Sequence, residues 1–176
     1  MHRLSEAGSA TVSAGGAARV MRLSGLFAAF CVLGVASAGA SASESWSVEQ
    51  GPDDAGCHIR TLRQEIETGY NQAKVEILVD ETAVTIRTDA KLDGGFDDLG
   101  VAVDGGPLTA VDRIEKERTA VLDGTYAELV EQFKRGSKVR VQLRFWPTWP
   151  ATGTHSAEFS LIGFTKAYGA LGGCKA

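Results

Sequence analysis

Ala73-Lys74-Val75-Glu76-Ile77-Leu78-Val79-Asp80-Glu81-Thr82-Ala83-Val84-Thr85-Ile86-Arg87-Thr88 decides the fold class. Val75, Ile77 and Val79 fall at every second position, and Val84 and Ile86 repeat that spacing after the polar Asp80-Glu81 step. Alternate side chains of an extended chain point to opposite faces, so the stretch reads as a hairpin of two strands, Ala73 to Val79 and Thr82 to Thr88.

The same alternation recurs on both sides. Trp46-Ser47-Val48 opens a strand that ends at the turn-rich Gly51-Pro52-Asp53-Asp54-Ala55-Gly56, and a second strand runs from Cys57 to about Ile66. Downstream, Leu99 to Val103 and Leu108 to Val111 flank the turn cluster Asp104-Gly105-Gly106-Pro107, with weaker segments at Arg113 to Glu117 and Ala120 to Leu122. Lys138 to Phe145 alternates strictly, with Val139, Val141, Leu143 and Phe145 on one face and Lys138, Arg140, Gln142 and Arg144 on the other. Pro147 and Pro150 then impose a loop, and Ala157 to Ile162 is a last strand.

Two segments break the pattern. Tyr126, Leu129, Val130 and Phe133 lie at the spacing of an amphipathic helix, with Thr125 and Glu128 as a capping box and Lys134, Arg135 and Gly136 at the far end. A short helix from about Phe164 to Leu171 stops at Gly172-Gly173. Eight or nine short strands with one mid-chain helix and a short C-terminal helix predict a mainly β, antiparallel β-sandwich, with a partly open barrel as the alternative.

The N-terminal segment bears on location. Arg19 and Arg22 precede an apolar run from Leu23 to Val35, after which Ala36-Ser37-Ala38, Ala38-Gly39-Ala40 and Ala40-Ser41-Ala42 each offer a small-residue cleavage pattern. A membrane span needs about twenty apolar residues, so the reading is a signal peptide over 1–42, with Met21 as an alternative first residue and a retained interfacial helix as the competing reading. Bulky Phe30 stands where lipid attachment at Cys31 would need a small residue. Residues 43–176 then suit one domain, periplasmic or secreted, with no integral span after cleavage.

Arg3, Arg19, Arg22 and Glu6 precede residue 43, so the full chain's 18 Lys and Arg and 22 Asp and Glu leave a mature net charge of about −6. Dispersed acidic charge argues against nucleic acid as a partner. Of three cysteines, Cys57 and Cys174 remain in the mature segment, an even count that predicts a bridge in an oxidising compartment. A redox pair would instead be expected two residues apart.

Phe159-Ser160-Leu161-Ile162-Gly163-Phe164-Thr165-Lys166-Ala167-Tyr168, in which a strand passes through Gly-Phe into an Ala-rich helix, resembles the invasion-associated locus B family. Ser45-Trp46-Ser47-Val48, with Cys57 following, and the T-x-x-E helix before a strand are similar to the same family. The resemblance implies an exported bacterial β-sandwich of the cell envelope, linked by name to host-cell entry, with no enzymatic activity and no catalytic residues to carry across. The chain departs from the family in the acidic, Gly-rich stretch Asp93 to Asp98 and in the loop Trp146 to Trp149.

No catalytic motif, cofactor motif or metal pattern emerges. The mature segment has two histidines, His58 and His155, too few for a His-rich metal site within one chain, and His155-Ser156 lacks a nucleophile elbow. Asp93, Asp97 and Asp98 with Gly94 and Gly95 could supply oxygen ligands, but the spacing fails the calcium-loop pattern and reads as a solvated turn. The best candidate is Phe145-Trp146-Pro147-Thr148-Trp149-Pro150, where two indoles between prolines offer a rigid amphipathic surface for sugars, peptides or proteins. Arg140 and Arg144 on the outward face of the preceding strand frame it. The competing expectation is that Trp146 or Trp149 closes the end of the sandwich. The function expected is binding of a protein or envelope component, against an enzyme with scattered carboxylates or a purely structural envelope protein.

Overall fold

The hairpin forms as expected in a computed structural model that describes residues 45–51, 56–149 and 153–174. The expected signal peptide and Cys31 lie outside the described residues. Along the chain run β1 (Trp46–Gln50), β2 (Cys57–Thr61), β3 (Gln64–Glu67), β4 (Gln72–Val79), β5 (Val84–Thr88), β6 (Gly100–Val103), β7 (Thr109–Ala110), β8 (Arg113–Glu115) and β9 (Thr119–Leu122). They are followed by α1 (Tyr126–Arg135), β10 (Lys138–Leu143), β11 (His155–Ser160) and α2 (Phe164–Leu171). β4 and β5 pair antiparallel with Val79 opposite Val84 and Val75 opposite Thr88. Asp80 shapes the turn, its carboxylate accepting from the Thr82 and Ala83 backbone N–H groups at 2.7 and 2.9 Å.

The strands build two antiparallel sheets, a seven-stranded one ordered β1-β2-β4-β5-β9-β8 with β3 also on β4, and a four-stranded one ordered β11-β10-β6-β7. Their inner faces share one core, with Val75, Ile77, Val84 and Ile86 from the first and Val101, Val139, Val141 and Phe159 from the second all buried. This is a sandwich-like arrangement of the expected class.

Eleven strands stand among the described residues where eight or nine were expected. One cause is the segment Cys57 to Ile66, which is not one strand. It divides at Leu62-Arg63 into β2 and β3, which lie end to end along the same side of β4. At the break the Thr61 hydroxyl accepts the Ile77 N–H at 3.0 Å, replacing a ladder bond that the kink removes.

Helix α1 buries the expected Leu129, Val130 and Phe133, and α2 buries Phe164, Ala167 and Leu171. Phe164 packs edge-on against both Trp46 and Phe133 at one end of the sandwich, with ring centroids 5.0 and 5.3 Å apart. The Trp46 indole N–H reaches the Ser160 carbonyl at 2.8 Å, which ties β1 to the end of β11. The capping box does not form. Thr125 adopts φ −113° and ψ 20°, and its side chain caps nothing. Instead the Asp112 carboxylate accepts from the Asp123 and Gly124 N–H groups at 2.8 and 2.9 Å, fixing the turn that leads into the helix.

Gly136 ends α1, as expected, and packing sets its identity. Its backbone is extended, not left-handed, and a side-chain carbon there would come within 2.5 Å of Val103 Cγ1 and 2.9 Å of Leu161 Cδ1. Close approach, not torsional freedom, requires the glycine.

Candidate binding surface

The cysteines meet as predicted. Cys57 and Cys174 are disulfide-bonded with Cα atoms 6.1 Å apart, joining the start of β2 to the chain just beyond α2. Nearby, the Tyr126 hydroxyl donates to the Asp80 carbonyl at 2.7 Å and lies 2.9 Å from the Tyr168 hydroxyl, linking both helices to the β4–β5 turn. Burial pushes the Tyr126 hydroxyl well above the usual phenol range.

The aromatic loop lies at the other end of β10, about 20 Å along the strand from the helix-packed end. Phe145 is buried and bridges to Leu92, so it closes this end of the sandwich. The tryptophans do not. Trp146 is 60% and Trp149 79% exposed, which overturns the expectation that an indole fills the opening. The exposure is built in. The Trp146 N–H donates to the Lys91 carbonyl at 2.8 Å, and the buried Thr148 hydroxyl donates to the Asp93 carboxylate. The Trp146–Pro147 peptide is cis. Lys91 Nζ stands 5.8 Å from the Trp146 ring centroid and pairs with Glu117 at 2.6 Å.

The loop is thus anchored to the acidic stretch that follows Leu92. The Asp93 N–H donates to the Arg144 carbonyl at 2.9 Å, and the Arg144 guanidinium grips Asp98 through two nitrogens at 2.7 and 2.8 Å. Hydrogen bonding to Arg144 holds the Asp98 carboxyl below the usual carboxylate range and raises Arg144 in turn. The same guanidinium lies 4.3 Å from the centroid of Phe96, a ring 43% exposed. Phe96 is the contributor that the sequence reading missed; its signal is a lone aromatic set among glycines and aspartates.

The four residues singled out from the sequence therefore have different surroundings. Trp146 and Trp149 share one pinned loop, while Arg144 turns to Asp98 and Phe96. Arg140 lies four positions back on the same face of β10, about 13 Å away along the strand, and makes no ion pair among the described residues. His58 sits half-buried opposite Glu49, and the His155 ring lies 5.8 Å from that of Phe145.

Comparison of the chain with family models, with curated proteins and with solved structures finds no match. Among the described residues no helix is long and apolar enough to cross a membrane.

Proposed function

We propose that this protein is an exported periplasmic or envelope protein, similar to the invasion-associated locus B family, that acts without catalysis by binding a protein or another envelope component through Trp146, Trp149 and Phe96. The observation that carries the reading is the exposure of both indoles on a loop anchored through the Trp146 backbone and the buried Thr148. An unbound loop gains nothing from presenting apolar rings to water, since burial of such a ring favours folding by about 2 to 3 kcal/mol. Here buried Phe145 and Thr148 hold the rings outward, which suits a pre-organised recognition surface. The bonded Cys57–Cys174 pair is consistent with an oxidising compartment.

The test compares wild type with a Trp146→Ala, Trp149→Ala double variant in capture from envelope extract, followed by binding of each recovered component in purified form. A component that binds wild type directly and is lost by the double variant supports the proposal. Equal binding of every component by both proteins overturns it.

A further inference from the structure

Beside the aromatic surface, the two sheets each end in a strand with a free side. β7 terminates the four-stranded sheet and β8 the seven-stranded one, and the chain passes directly from one to the other through Val111 and Asp112. On its inner side β7 pairs with β6, Gly100 opposite Ala110 and Val101 opposite Thr109. The Val111 N–H donates to the Leu99 carbonyl at 2.9 Å, which makes Gly100–Ala110 a position where neither residue bonds the other. Alternation then turns the N–H and C=O of Ala110 away from β6. No described strand pairs with that side.

Ala110 also lines a hollow of about 220 Å³ with Phe96, Leu99, Val111 and Ile114 around it. Its size suits a single large apolar side chain. The charges at its rim are unequal. Arg113 is taken by Asp123 and by Glu115, the latter at 2.9 Å, while Asp97 is exposed and has no partner among the described residues. Asp112 adds a second carboxylate, engaged by backbone N–H groups alone. The rim is therefore acidic over an apolar floor, beside unpaired main-chain donors and acceptors.

We infer that the outward edge of β7 takes up an extended, cationic peptide segment as an added strand, with one apolar side chain of that segment in the hollow at Phe96 and Ile114. Main-chain pairing supplies affinity, the hollow selects the anchor, and Asp97 selects for Lys or Arg beside it. Phe96 belongs to both surfaces, but this edge does not use Trp146 or Trp149, so the two proposals depend on different variants.

The probe is a fluorescein-labelled peptide Lys-Val-Lys-Phe-Lys-Val-Lys, read by fluorescence anisotropy against the full chain. Two alternately N-methylated forms, each blocking one edge of the peptide, test main-chain pairing without altering the protein. Binding of the parent peptide, with one methylated form about tenfold weaker and the other unchanged, is the expected result, since a lost main-chain bond costs about 1.4 kcal/mol. Ala110→Pro removes the outward N–H and is expected to weaken binding to a similar extent, while Asp97→Lys weakens the cationic peptide selectively. Urea unfolding of both variants checks that they fold, and the methylated peptides carry the test if Ala110→Pro does not.

Absence of binding, equal binding of the glutamate counterpart, or equal affinity of both methylated forms overturns the inference. So does a concentration-dependent dimer that Ala110→Pro dissociates, because the edge would then be occupied by a second copy. Loss of peptide binding on Trp146→Ala, Trp149→Ala alone would overturn the edge while leaving the indole surface standing.

Discussion

Replacing both Cys57 and Cys174 by serine is the perturbation whose magnitude the structure specifies most directly. The bridge spans 117 residues of sequence, and closing a loop of that length removes unfolded-state entropy worth about 4 to 5 kcal/mol at 25 °C. The folded state should change little. Phe164, Ala167 and Leu171 remain buried without the bridge, and Trp46 still reaches Ser160. The loss is thus expected to act through the unfolded chain, which opens further once untethered. Urea unfolding of the oxidised wild type and the double serine variant should show a loss of about 4 to 5 kcal/mol together with a larger denaturant slope. For a domain of about 130 residues the same difference lowers the melting temperature by about 15 to 20 °C. A variant within about 1 kcal/mol of wild type, with an unchanged slope, would refute the argument that end-to-end closure is a principal source of stability.

Gly136→Ala should destabilise by about 1 to 3 kcal/mol in the same unfolding assay, because the added carbon meets Val103 and Leu161 at 2.5 and 2.9 Å. Trp46→Phe should cost about 1 to 3 kcal/mol by leaving the Ser160 carbonyl without its 2.8 Å donor. Asp98→Asn tests the Arg144 clamp through pH. Because Arg144 depresses the folded-state pKa of Asp98, its stabilisation is present above the unfolded carboxylate value near about 4 and is lost as pH falls through the lower folded value. Wild type should therefore exceed Asp98→Asn in urea midpoint at pH 7, and the two curves should converge towards pH 2.

Elements whose burial follows from local periodicity were legible in the sequence. β10 buries Val139, Val141 and Leu143, and α1 buries Leu129, Val130 and Phe133, as their spacing requires. Features set by tertiary contact were not. The break at Leu62-Arg63 is stabilised by a hydroxyl from Thr61 bonding Ile77, a pairing between residues 16 apart that no local pattern encodes. Thr125 lost its capping role to Asp112, which arrives from the loop after β7, and Gly136 is demanded by two side chains remote from it in sequence. The cysteine pairing was legible because the mature segment holds only two.

The candidate surface shows the same division. Trp146 and Trp149 could be recognised as a pair from the prolines around them, but whether they faced inward depended on what else filled the sandwich end. Phe145, one residue earlier, has the parity of the buried face of β10 and meets Leu92, so Trp146 is directed outward by the same alternation that buries its neighbour. With Phe145 in the opening, the following turn bonds the Lys91–Asp98 stretch, and Thr148 with Asp93 and Arg144 with Asp98 complete that contact. The acidic stretch Asp93 to Asp98 and the strand end that leads into the tryptophan loop are therefore one surface in three dimensions. Thr148 with Asp93 and Arg144 with Asp98 make each stretch depend on the other for its position. That mutual dependence directs mutagenesis to Trp146, Trp149 and Phe96 ahead of the half-buried histidines.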